Sequence, residues 1–185
     1  MVKFNQYLEK NKLLSWSQQY LNYYQLKTYL KEGELSHFDR LLNQEADKVD
    51  RFYQMQIDRL NSDSEQIDDC YETADQLRQY LLLNIIGFIK IIKKRNKNVN
   101  HDDTLSENTP ILSAKELLEK YRFYQCRELH DKFAELIDTA NQENTQMLQE
   151  HFENSNSFRI LQNYHLFQPS FSFFSDLPFC DTDFI

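Results

Sequence analysis

Glycine occurs twice and proline three times in 185 residues, and that scarcity governs what the chain can fold into. A many-stranded sheet needs a tight reversal after every strand, and those reversals draw on residues that tolerate positive φ or pre-set a turn. Long helices joined by few polar turns are the architecture left open. The length fits one domain with a core of its own, without disulfides or a structural metal. Cys70, Cys126 and Cys180 lie far apart and form no close metal-ligand pair, which reads as reduced thiols in an intracellular protein. No signal-peptide pattern opens the sequence. The greasiest stretch, Leu81 to Ile92, is interrupted by Asn84 and Lys90 and is too short to span a bilayer. A soluble, all-helical protein is expected.

Apolar spacing places the helices. Ser15 with Gln18 fits a capping box, and Trp16, Tyr20, Tyr23, Tyr24 and Leu30 recur at three and four toward a stop near Gly33. With the opening MVKFNQYLEKNKL this predicts two short helices in a hairpin, joined tightly at Leu13-Leu14. A longer helix follows from about Leu35 to Leu60, with Phe38, Leu41, Leu42, Val49, Phe52, Tyr53, Ile57 and Leu60 as its buried stripe. The segment NSDSEQ interrupts the pattern and offers caps. A third helix carries Ile67, Tyr71, Ala74, Leu77, Leu81, Ile85, Phe88 and Ile92, and should pack antiparallel to the second. Asn96 to Pro110 is polar and aperiodic and reads as a mobile loop. Ser113 with Glu116 forms another capping pattern ahead of Leu117, Leu118, Tyr121, Leu129, Phe133, Leu136 and Ile137. One helix to Phe152, or two broken near Cys126, fit equally. Residues 1–152 are expected to form the helical domain. Residues 153–185 form a tail dense in phenylalanine that either packs on the bundle or docks a partner.

Charge is distributed unevenly. Lys plus Arg number 21 against 29 Asp plus Glu, and five of the basic residues fall between Lys90 and Lys97 with no acid among them. An acidic body repels long nucleic acid yet tolerates a local site for a compact anion. At 100° per residue, Lys90, Lys93, Lys94 and Lys97 fall within an arc of about 100°, opposite Leu81, Ile85, Phe88 and Ile92. Arg95 belongs to neither side. Like charges three and four apart repel, so four lysines aimed together make sense beneath a multiply charged anion; a solvated helix end is the plainer alternative. Tyr20 and Tyr24 read as packing residues. His37, His101, His130, His151 and His165 show no metal-binding spacing, no Ser-His-Asp or Cys-His arrangement can be read, and no Gly-rich phosphate loop occurs.

Four blocks together resemble the SPX domain, a helical module that senses inositol polyphosphates and pyrophosphates. MVKFNQYL is similar to the family's M-K-F start with one extra residue, and Trp16, Tyr20, Tyr23, Leu26 and Lys27 match W-x3-Y-x2-Y-x2-L-K. Phe38, Leu41, Glu45, Lys48, Val49, Phe52 and Tyr53 fit F-x-x-L-x-x-E-x-x-K-V-x-x-F-Y. NIIGFIKIIKKRNK, Asn84 to Lys97, matches N-x-x-x-F-x-K-I-x-K-K-x-D-K. Order and spacing hold over roughly residues 1 to 97.

The resemblance implies a fold of an N-terminal helical hairpin beside two long antiparallel helices, closed by C-terminal helices. It implies a ligand site of Tyr23 and Lys27 with Lys90, Lys93, Lys94 and Lys97, the division among the four left open, and Lys3 at the family's N-terminal lysine. Gln6 stands where many members carry a second N-terminal lysine, and Asn96 replaces the usual Asp. The function implied is a non-catalytic sensor, without cofactor. It would bind inositol hexakisphosphate or an inositol pyrophosphate and signal phosphate status to a regulatory protein partner. A stand-alone cytoplasmic protein is expected, nuclear as well or not, with no nucleic acid and no transmembrane segment. The rival is a helical scaffold or adaptor whose basic patch meets an acidic protein or an anionic membrane surface.

Overall fold

A computed structural model describes residues 4–62, 67–101 and 110–142, and these are all-helical. The elements are α1 (Phe4–Asn11), a 3-10 turn (Leu14–Trp16), α2 (Tyr23–Glu32), α3 (Leu35–Ser62), α4 (Ile67–His101), α5 (Ala114–Leu118), α6 (Arg122–Gln125) and α7 (Arg127–Gln142). The expected architecture is the one observed. α3 and α4 are antiparallel, since Arg95 meets Asp39 near one end and Tyr80 meets Phe52 (ring centroids 4.9 Å apart) further along. Short helices close the C-terminal side onto α3: Tyr121 donates to Asp47 at 2.9 Å, Tyr53 to Glu128 at 3.0 Å, and the Phe123 amide to Asp50 at 2.9 Å.

α4 is the axis. Every residue from Leu77 to Phe88 is buried, on all sides of the helix, where the sequence pattern gave it one buried face. α1 lies against α4 in the opposite direction: Phe4 comes close to Gly87, and Gln79 donates to the Asn11 carbonyl at 2.8 Å. A Cβ on Gly87 would stand 2.8 Å from Leu21 Cδ2 and 3.3 Å from Phe4 Cε1, so the missing side chain is what lets the N-terminal segment approach. α2 instead runs parallel to α4, as two side-chain bonds show. Asn84 Oδ1 accepts from the Leu21 amide at 2.8 Å, and Asn98 Nδ2 donates to the Leu30 carbonyl at 3.1 Å. α1 and α2 therefore form the expected hairpin.

The hairpin's second helix starts later than its sequence suggests. Ser15 caps nothing; Asn22 is the N-cap, its side chain accepting from the Gln25 amide at 3.1 Å. The backbone between is captured by other elements. Tyr80 donates to the Gln19 carbonyl at 2.9 Å, Lys48 to the Tyr20 carbonyl at 2.9 Å, Asn84 takes the Leu21 amide, and Glu45 takes the Asn22 amide at 2.7 Å. Groups bonded to α3 and α4 are no longer available for a helical ladder. Gly33 ends α2 as expected, in the left-handed region at φ 75°.

Three further differences concern the far end. α4 continues through His101, so the expected loop is helical in its first six residues; 102–109 lie outside the described residues. The alternative with a break at Cys126 is realised, at φ 54°, and a second interruption falls at 119–121. Ser113 caps α5 through Glu116, as its pattern predicts. Tyr24, expected to pack, is 70 % exposed, whereas Tyr20 is buried. Residues 63–66 of the NSDSEQ segment, the side chains of Ile67 and Ile137, and the whole Phe-rich tail lie outside the described residues.

The Asn84 carboxamide is fully buried and also donates to the Tyr80 carbonyl at 2.8 Å. Asn84→Leu should leave the Leu21 amide without a partner, cost about 1–3 kcal/mol and speed amide exchange across 17–22. Phe88→Ala, which empties a fully buried ring position against Phe123, should cost about 3–5 kcal/mol. Urea melts of both variants with exchange mass spectrometry of the first check these values.

Candidate functional site

The sequence places lysines on two helices remote in the chain, and the parallel register of α2 and α4 sets them side by side. The bonds at Leu21–Asn84 and Leu30–Asn98 bracket the shared groove. Lys27 of α2 and Lys94 of α4 fall between them, and Tyr23 sits at the first turn of α2.

Lys94 is half-buried. Its pKa is lowered from the ordinary lysine value, first by burial and then by the charges of Lys27 and Lys31. Lys90, one turn earlier, is also half-buried, with its pKa lowered by burial and by Lys93. Its ammonium stands 6.0 Å from the centre of the Phe4 ring, a cation–π arrangement that lets a cation sit over an apolar surface. Lys93 and Lys97 are exposed on the outer side of the same helix. Lys3 lies outside the described residues. Gln6 is exposed on α1.

Tyr23 is buried against Phe4 in an edge-on contact with centroids 5.0 Å apart. Burial raises its pKa, so the phenol remains an O–H donor well into alkaline solution. None of the hydrogen bonds among the described residues uses that hydroxyl. Likewise, none of the ion pairs among them involves Lys27, Lys31, Lys94 or Lys97. Two carboxylates of α3 are engaged elsewhere: Glu45 bonds Lys48 at 2.6 Å as well as the Asn22 amide, and Asp39 holds Arg95.

Lys31 was not singled out by the sequence. Its place in α2 is one turn after Lys27, and the i,i+4 spacing was the available signal. It carries no motif, so only the register against α4 reveals that its charge comes within reach of Lys94. Arg95 and Asn96 point elsewhere. Arg95, 1 % exposed, makes a two-point contact with Asp39 (3.1 and 3.2 Å) and donates to the Pro110 carbonyl at 2.7 Å. Asn96 donates to the Leu112 carbonyl at 2.8 Å and accepts from the Leu112 amide at 3.1 Å. An Asp there could accept but would repel the carbonyl, so Asn suits both bonds.

What the groove offers chemically is several ammonium donors and one phenol for an anion. Among the described residues, no group of three or more His, Cys, Asp or Glu could hold a metal ion, and no helix is long and apolar enough to cross a membrane. Lys94→Gln relieves repulsion with two neighbours. It should leave stability unchanged or raise it by about 0.2–0.5 kcal/mol in low salt, and that gain should shrink in 1 M salt; paired urea melts test it.

No protein-family model and no solved structure matches the chain. Among curated proteins it is similar to the vacuolar transporter chaperone complex subunit 2 of Schizosaccharomyces pombe, with 26% identity over 132 residues. That alignment covers 52% of this chain and 18% of the relative, so the chain spans less than a fifth of that protein's length.

Proposed function

We propose that the chain is an SPX-type module that binds an inositol polyphosphate or pyrophosphate in the α2–α4 groove and reports phosphate status to a protein partner. The observation that carries this reading is Lys94 facing Lys27 across two helices, with no carboxylate among the described residues paired to either. A folded chain that holds like charges together at a cost to itself is matched to an anion of high charge density. Tyr23, Lys27 and Lys94 would clasp one phosphate, while Lys90, Lys93 and Lys97 extend a basic surface along α4. Lys3, ahead of α1, would join from the N-terminus. The role is binding without catalysis, by a domain over 1–152 in the cytoplasm. The likeness to a subunit of a vacuolar transporter chaperone complex supports a module that works through protein assembly.

Calorimetry at fixed ionic strength tests this. Inositol hexakisphosphate should bind far more tightly than orthophosphate, and Lys27→Ala should weaken the complex. Amide exchange should slow in 4–32 and 84–101 on binding, with α3 little changed. Equal affinity for the two anions, or protection confined to 90–97, would instead favour a plain basic patch that meets an acidic protein or membrane.

Proton linkage gives a second check. An anion beside Lys94 raises a pKa that burial and two lysines depress in the free protein, so binding takes up protons once pH exceeds the free-state value. Affinity should therefore fall on the alkaline side, and titration in two buffers of different ionisation enthalpy should show net proton uptake that Lys94→Gln reduces.

A further inference from the structure

Lys31 stands outside every block that carries the SPX resemblance, yet the fold puts it at the groove. The Asn98–Leu30 hydrogen bond, 3.1 Å long, joins the last turns of α2 and α4. Leu30 precedes Lys31, and Asn98 lies one turn beyond Lys94, so the register sets Lys31 along the groove past Lys94. Lys27 and Lys31 are one turn apart on α2, a rise of about 5.4–6 Å, and present ammonium groups on one face. Lys31 is exposed, and its charge reaches Lys94 strongly enough to depress it alongside Lys27.

We propose that Lys31 is a further cation of this anion site, and that the Lys27–Lys31 pair favours ligands carrying two phosphates about one helical turn apart. A single phosphate clasped by Tyr23, Lys27 and Lys94 leaves Lys31 a turn away, with its repulsion toward Lys94 unrelieved. A ligand with a second phosphate further along the groove meets Lys31 as well, and gains one more charge-assisted contact. Selectivity for multiply phosphorylated ligands then comes from the length of the cation row and not from any one lysine. This inference rests on the function proposed above.

The test uses the full chain and four proteins: wild type, Lys31→Gln, Lys31→Arg and Lys120→Gln. Lys120, whose ammonium lies over the Tyr121 ring among the C-terminal helices, controls for a general loss of positive charge. Calorimetry is run with inositol hexakisphosphate and with inorganic phosphate at one salt concentration. Lys31→Gln should weaken inositol hexakisphosphate about threefold to tenfold and leave inorganic phosphate within about twofold of wild type. Lys31→Arg should keep most of the affinity, and Lys120→Gln should match wild type. Wild-type binding that Lys31→Gln leaves intact overturns the role of Lys31 alone. So does an equal loss for both anions, or an equal loss in the Lys120 control, because each reduces the effect to net charge. Absence of wild-type binding to inositol hexakisphosphate overturns the parent reading, and this one with it.

Discussion

The arrangement of charge depends on one buried carboxamide. Asn84 sits inside α4, fully buried, and its oxygen takes the amide of Leu21 while its nitrogen returns to the Tyr80 carbonyl within its own helix. That bond fixes where the chain leaves the N-terminal segment and where α2 begins. Glu45 and Lys48 of α3 reinforce it by holding the Asn22 amide and the Tyr20 carbonyl, and they neutralise each other at 2.6 Å. With the start of α2 clamped against both long helices, its direction along α4 follows, and so does the meeting of Lys27 and Lys31 with Lys94. A polar side chain in a core is costly unless satisfied; here its satisfaction sets the register of the site.

The same clamp explains what the sequence could and could not convey. Helices α3 and α4 were legible because long apolar stripes at helical spacing have few other ways to be buried, and Gly33 was legible as a stop because of its backbone freedom. The false start at Ser15 was locally sound. Its capping pattern lost to bonds from Tyr80, Lys48, Asn84 and Glu45, whose sequence separations of up to 63 residues no local pattern conveys. Tyr24 shows the same limit. Its spacing suited the core, but α2 turns it away from α4, and 70 % of it is exposed. Of the site, the lysine block on α4 was visible as a helical face, whereas Tyr23 and Lys27 needed a family resemblance to be singled out. Lys31 had neither a motif nor a crowded stretch of charge to mark it.

Four of the five residues from 94 to 98 turn toward neighbouring parts of the molecule. Lys94 faces α2, Arg95 is sunk against α3 and the Pro110 carbonyl, Asn96 clasps Leu112, and Asn98 holds the end of α2. Arg95 and Lys94 are adjacent in sequence with opposite environments, and the residue types fit. A guanidinium satisfies a carboxylate at two points and a carbonyl at a third with a rigid fork, which makes its burial tolerable. An ammonium on a flexible stem instead keeps its donors available for an incoming anion.

Holding that helix end from three sides has an energetic consequence for binding. Lysines on a frayed helix would swing apart to reduce their repulsion, and an anion would then have to gather them at an entropic cost. Here the chain is tied to α4 just ahead of α2, at Leu21, and in its last turn, at Leu30, and α4 is tied to α3 and to Leu112, so the backbones carrying Lys27, Lys31 and Lys94 cannot separate without breaking those bonds. The repulsion is thus met during folding, out of the burial of the long helices, and is already in place before any ligand arrives. An anion bound there as proposed would relieve it and would need little rearrangement to do so, which is how preorganised polar sites gain affinity from modest contact area. Loosening either tie should therefore weaken anion binding even where no lysine is touched, because the cations would settle further apart.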